Sequence, residues 1–175
     1  FYPFYYFSIP VKQRKRFKKS NQTKWQNALS QNQMKVLIVD DKLPYIESGS
    51  GYPRTRKIID ELIEMGCFVT YYAFFPKVAF ARMNERLPSE VEFIVKPLIS
   101  ALGFERLVKE RGESYQVILI NRPIILSRVL LQIAHFRKLS SKPKIIYDSE
   151  AINALRISGS SGRIKRYLDR ECYMA

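Results

Sequence analysis

Five short apolar runs, separated by stretches with helical spacing, constrain the fold of this chain more than any other feature. KVLIVD (35–40), FVTYYAF (68–74), VEFIV (91–95), VILIN (117–121) and KIIYD (144–148) are rich in β-branched and aromatic residues. That is the composition of strands buried on both faces. Over 53–65, Ile58, Ile59, Leu62 and Ile63 share one helical face, with Asp60, Glu61 and Glu64 elsewhere. Gly66 then stands where a helix C-terminus prefers glycine. Leu98, Ile99, Leu102, Leu107 and Val108 predict a helix over 98–111, and Leu126, Val129, Leu130, Ile133 and Ala134 another over 124–137. Ile164, Tyr167 and Leu168 open a last one over 163–175. The alternation predicts an α/β domain over 34–175. Its sheet is mainly parallel, of five or more strands, with helices on both faces and the 35–40 strand central.

Charge divides the chain differently. Of a net +14, residues 1–33 carry seven basic residues (Lys12, Arg14, Lys15, Arg16, Lys18, Lys19 and Lys24) and no acid. They follow an aromatic opening, FYPFYYF, and show no convincing apolar period. The segment 1–33 therefore reads as a poorly ordered tail or linker outside the domain. Aromatics beside cations also suit contact of residues 1–19 with an anionic membrane surface; nucleic-acid binding ranks below both. No run approaches the ~20 apolar residues that span a bilayer. Cys67 and Cys172 are too few for a disulfide scaffold and read as small core residues or inert thiols. One histidine and no closely spaced cysteines argue against a structural zinc site. The cationic cluster follows the apolar opening, the reverse of a secretory signal. The chain starts at Phe1 and stops at Ala175 inside a helical pattern, so it reads as a fragment truncated at its C-terminus.

In open parallel sheets, ligands bind beyond the carboxyl ends of the strands. Three of those ends carry unusual chemistry. The first strand ends at Asp40-Asp41 and opens a loop containing Gly49, Ser50, Gly51, Pro53 and Arg54 just before a helix. Glycines there allow close backbone approach, and a helix N-terminus offers N–H groups to a phosphate or hydroxyl. A glycine turn with no ligand is the plainer reading. Arg54 stands where a dinucleotide fingerprint needs its third glycine. A phospho-receiver reading of VLIVDD fails at the third strand, which ends in Lys96 rather than an aspartate. The fourth strand ends at Arg122-Pro123, and the fifth at Asp148-Ser149-Glu150. Arg122 is placed to pair with one of those acids or to face an anionic ligand. Asp148 or Ser149 is equally suited to capping a following helix. His135, in mid-helix, reads as a packing or surface residue.

Together these strand ends resemble the N-terminal half of bacterial two-domain glycosyltransferases of the GT-B type, the group 1 retaining family. The matching pieces, in order, are Asp40 or Asp41, Pro44, Gly49-Ser50-Gly51-Tyr52-Pro53-Arg54, Gly66, Val69-Thr70, Arg122-Pro123 and Tyr147-Asp148-Ser149-Glu150-Ala151-Ile152. They span about residues 35 to 156. After the R-P pair, where relatives often carry His-Asn, this chain has Ile124-Ile125. The resemblance implies a Rossmann-like three-layer domain, the acceptor-side half of an enzyme that moves a sugar from a nucleotide-sugar donor to an acceptor hydroxyl. It implies a sugar or lipid-linked acceptor and a missing C-terminal donor domain, without which the chain is inactive. Gly49, Ser50, Gly51, Arg54 and Arg122 become substrate- or donor-binding candidates, and Asp148 and Glu150 catalytic candidates. Neither cofactor nor metal is implied. The expected location is cytoplasmic, with peripheral contact at the inner membrane face. The competing classes are a non-enzymatic Rossmann-like interaction module and, further off, a nucleotide-cofactor oxidoreductase.

Overall fold

The computed structural model of the chain describes residues 11–45, 51–74, 88–95 and 101–149. Helix α1 (Val11–Ser30) precedes strand β1 (Lys35–Asp40), helix α2 (Tyr52–Glu64) and strands β2 (Phe68–Ala73) and β3 (Glu92–Val95). Helix α3 (Ala101–Arg111), strand β4 (Val117–Asn121), helix α4 (Pro123–Phe136) and strand β5 (Lys144–Asp148) follow. The strands form one sheet in the order β3-β2-β1-β4-β5, and every pairing is parallel. This is the α/β, Rossmann-like three-layer fold that the strand–helix alternation predicts, with β1 at its centre. The expected helix over 163–175 lies outside the described residues.

A strand with its two neighbours paired and both faces covered has no solvent side, which is why β1 shows no polar alternation. All six of its residues are buried. Leu37 and Val39 face a core shared with Phe104, Leu107 and Val108 of α3 and Ile125, Val129, Ile133 and Phe136 of α4. Val36 and Ile38 face the opposite core, with Val69, Tyr71 and Ile59 of α2. Helix α2 closes as its sequence suggests. Gly66 takes a left-handed conformation (φ 77°), its N–H bonds to Ile63 O, and the Cys67 N–H bonds to Leu62 O. That is a Schellman stop. A Cβ at Gly66 meets nothing within 4 Å, so a side chain there is opposed by backbone conformation alone.

The boundary expected at residue 33 is not found. Residues 11–30 are helical, and Trp25 and Ala28 of α1 are 6 % and 1 % exposed in the same core as α3 and α4. The residues turned to the sheet are Asn21, Lys24, Trp25 and Ala28, an i, i+3, i+4, i+7 stripe. Two of its four members are polar, which hides the period from an apolar count. They are satisfied by backbone: Asn21 Nδ2 donates to Phe93 O (2.8 Å) and Lys24 Nζ to Val91 O (3.0 Å). Both acceptors lie on or beside β3, an edge strand, so α1 covers part of an edge that would otherwise invite pairing with another chain. Trp25 sits 5.8 Å from the Phe68 ring and 5.6 Å from the Tyr115 ring, with the Arg111 guanidinium stacked 4.3 Å from its own. Arg111 Nη1 in turn donates to both oxygens of the buried Glu92 (2.8 and 3.0 Å), which also accepts from Thr70 Oγ1 (3.0 Å). Residues 1–10 lie outside the described residues.

Truncating a buried aromatic that joins three elements costs about 3–5 kcal/mol. Trp25→Ala should therefore lower the equilibrium urea-unfolding stability by about that much, and a chain beginning at Met34 should lose as much or more. An unchanged midpoint in both would detach residues 11–30 from the fold.

Candidate functional site

The strand order reverses between β1 and β4, and the carboxyl ends of these two strands flank the crevice where open α/β sheets hold ligands. β1 ends there on Asp40 and β4 on Asn121. Asp40 is fully buried, and its carboxyl is surrounded by hydrogen-bond donors. Oδ1 accepts from the Asp41 N–H (2.7 Å) and Arg122 Nε (2.9 Å). Oδ2 accepts from Asn121 Nδ2 (2.9 Å) and lies 3.0 Å from the Tyr71 hydroxyl. Burial pushes the Asp40 carboxyl up to about 7, against the Asn121 hydrogen bond and the Arg122 charge, which favour its anion. Tyr71 is buried beside it, and its hydroxyl also lies 2.8 Å from Lys42 O. One phenolic proton serves one acceptor at a time. When Asp40 holds a proton, it can donate to Tyr71 while Tyr71 donates to Lys42 O.

Arg122 is held on every side. Its guanidinium reaches Asp40 and, at 3.2 Å, Asp41, and lies 4.1 Å from the centroid of the Tyr52 ring. Its N–H donates to Asp148 O (2.9 Å), extending the β4–β5 pairing by one bond. Its carbonyl accepts from Ile125 and Leu126 N–H (both 3.1 Å) as α4 begins. Its backbone has φ 73° and ψ 142°, a region that a side-chain-bearing residue enters only under constraint. Strain of this kind marks a residue placed by its surroundings, and here those surroundings are the switch-point acids.

The N-terminus of α2 completes the site. Tyr52 folds back over the strand ends, its hydroxyl donating to Asp41 Oδ1 (2.9 Å). Burial first, and Asp41 next, hold this phenol far above its ordinary value. Lys42 Nζ stands 5.6 Å from the centroid of the same ring. Arg54, half-exposed, bonds through Nη1 to Asp148 Oδ1 at 2.8 Å, joining positions 94 residues apart. Exposed pairs of this kind contribute at most about 1 kcal/mol, so this one orients its side chains more than it stabilises the chain.

Gly51, Arg54, Arg122 and Asp148, singled out on different segments of the sequence, thus meet at one edge of the sheet. Gly49, Ser50 and Glu150 lie outside the described residues. The Arg122 side chain pairs with Asp40 and Asp41 at the end of the first strand, and Asp148 pairs with Arg54. Gly51 caps α2 with φ −83°, a conformation open to any residue, so glycine there matters only for its missing side chain. Tyr52, Tyr71 and Asn121 were absent from the sequence-based candidates. Tyr71 and Asn121 sit inside apolar runs, where a polar tip gives no signal until its partner is known. Asn121 Oδ1 is buried with no hydrogen-bond partner among the described residues. His135 is exposed near the end of α4, away from the strand ends.

Among the described residues, no group of three or more His, Cys, Asp or Glu is arranged to hold a metal ion, and no helix is long and apolar enough to cross a membrane. No protein family, no curated protein and no solved structure matches this chain.

The strain at position 122 yields a direct comparison. Arg122→Ala and Arg122→Gly both remove the guanidinium from Asp40, but only glycine tolerates φ 73° without penalty. The glycine variant should be the more stable of the two by about 1 kcal/mol in urea unfolding. An alanine variant of equal or greater stability would mean that the backbone at 122 is relaxed.

Proposed function

We propose that this chain is the acceptor-side half of a glycosyltransferase, which moves a sugar from a nucleotide-sugar donor to an acceptor hydroxyl. One observation carries the reading. The motif pieces that resemble the two-domain transferases come from four separate segments: Asp40-Asp41, Gly51–Arg54, Arg122-Pro123 and Tyr147-Asp148. They assemble at the switch point of a parallel sheet, with Arg54 and Asp148 in direct contact at 2.8 Å. Fold alone carries no activity; the reading rests on which residues meet.

In this reading the described residues divide the work. Arg54 is the cation open to solvent at the edge, and a guanidinium has five N–H donors, of which the Asp148 bond uses one. The others are positioned for an anionic or hydroxyl-rich ligand in the cleft. Asp148, with Glu150 two residues on in the sequence, supplies the carboxylates that would orient the acceptor hydroxyl and take its proton as the new glycosidic bond forms. Asp40, Tyr71 and Asn121 are too buried for substrate contact and fix the strand ends and Arg122. By the resemblance, Gly49, Ser50 and Gly51 would serve the donor. Stabilisation of the departing nucleoside diphosphate falls to a second domain, so one half of the cleft cannot position both reactants.

The test uses a panel of nucleotide-sugars with sugar and lipid-linked acceptors. The 175-residue chain should turn over none of them, and the product of its complete open reading frame should turn over at least one. In that product, Arg54→Ala and Asp148→Asn should each lower kcat/KM at least about tenfold, an interaction worth ~1.4 kcal/mol, with the thermal midpoint little changed. Turnover by the short chain alone would dismiss the two-domain reading. Full activity in both variants would remove the strand-end pair from the chemistry.

A further inference from the structure

Helix α1 is longer than the sheet it lies along, and the excess is cationic. The chain leaves α1 at Ser30 and enters β1 at Lys35, so the C-terminal end of the helix lies at the amino edge of the sheet. The bonds from Lys24 to Val91 O and from Asn21 to Phe93 O show its direction. Moving toward the helix N-terminus is moving toward the carboxyl end of β3. Ten residues of helix remain between Asn21 and Val11, about 15 Å at 1.5 Å per residue. Two residues of strand remain between Phe93 and Val95, about 7 Å. The helix therefore overshoots at the carboxyl edge, the edge that holds Asp40, Arg54, Arg122 and Asp148.

That overshooting half carries Lys12, Arg14, Lys15, Arg16, Lys18 and Lys19, and the whole helix has no acid. Lys15, Arg16, Lys18 and Lys19 are exposed, and none forms an ion pair among the described residues. At 100° per residue, Lys15, Arg16 and Lys19 lie roughly opposite the Asn21, Lys24, Trp25 and Ala28 stripe that meets the sheet. The run FYPFYYF (1–7), six aromatics in seven residues, ends three residues upstream of the helix. Cations beside a block of aromatics match an anionic bilayer surface, where rings settle at headgroup depth and Lys and Arg meet phosphate.

We propose that the cationic N-terminal half of α1 docks this protein on an anionic phospholipid membrane with the carboxyl edge of the sheet turned toward the lipid. The surface assignment stands apart from the transferase reading. Its consequence, that the acceptor is lipid-linked and enters from the membrane, rests on that reading.

The test is co-sedimentation of the chain with vesicles of phosphatidylcholine alone and of phosphatidylcholine containing phosphatidylglycerol. Binding should require the anionic lipid and weaken with salt. The quadruple variant Lys15→Gln, Arg16→Gln, Lys18→Gln, Lys19→Gln should lower the partition coefficient about a hundredfold or more, since each cation near such a surface is worth roughly fivefold. The chain's one tryptophan, Trp25, reports whether α1 is still docked, and its emission should be unchanged in the variant. Equal binding to both vesicle types, or undiminished binding by a variant with native Trp25 emission, overturns the proposal. Tighter binding of a single-stranded oligonucleotide than of anionic vesicles at the same salt also overturns it.

Orientation is read separately in a Cys172→Ser background. A fluorophore at Ile124→Cys, on the carboxyl edge, should be quenched by lipid-borne quencher more than one at Met65→Cys, on the amino edge; both positions are exposed. The reverse order would contradict the orientation. None of these readouts needs sugar transfer, so failure of either reading leaves the other distinguishable.

Discussion

A carboxyl group removed from water at the end of the central strand organises the carboxyl edge of the sheet. Asp40 has no exposure, and Tyr71 of β2, Asn121 of β4 and the residues just past β1 and β4, Asp41 and Arg122, each present a donor to it. A buried acid left alone is costly; one surrounded by donors becomes a fixed point. From that point the rest of the site follows. Arg122 accepts a left-handed backbone because its guanidinium is bound to the two acids. Tyr52 lies under that guanidinium because its hydroxyl reaches Asp41. The N-terminus of α2 is thereby set against the strand ends, and Arg54 reaches Asp148.

A second buried carboxylate, Glu92, does comparable work for the fold. It takes Arg111 from α3 and Thr70 from β2, and Arg111 stacks on Trp25 of α1. Burial pushes Glu92 up from its usual range while Arg111 pulls it down. Buried ion pairs add little net stability over apolar packing, yet losing one partner is expensive. Such groups act as registration devices: Glu92 fixes where α1 and α3 sit on the sheet, and so where the cationic overhang of α1 emerges.

The sheet was readable because five apolar runs admit few other folds, and the strand bounds inferred from them fall within a residue of those in the structure. The residues singled out at the strand ends meet because in such a sheet the chain leaves every parallel strand at the same edge. Three things were not readable. Helix α1 docks through a stripe half made of Asn21 and Lys24, so it carried no apolar period. Glu92 looked like an ordinary polar residue at the start of a weak strand, and its partners lie far away in sequence. The pairing of Arg122 with Asp40 depends on β1 and β4 being neighbours, which the sheet order decides and no local pattern reveals.

The claim that Asp40 is a buried acid held near neutrality is open to one direct measurement, a titration of the aspartate side-chain carboxyl carbons by 13C NMR. The account predicts one aspartate titrating near pH 7, well above the 3.8 of an ordinary aspartate, and missing from the Asp40→Asn variant. The linked effect on stability has a definite sign. Because the folded value is raised, Asp40 contributes most below the unfolded value, and that contribution fades as pH rises through the folded one. Every aspartate titrating at or below its ordinary value would contradict the account. It would mean that the Arg122 charge and the surrounding donors outweigh burial and hold Asp40 as an anion.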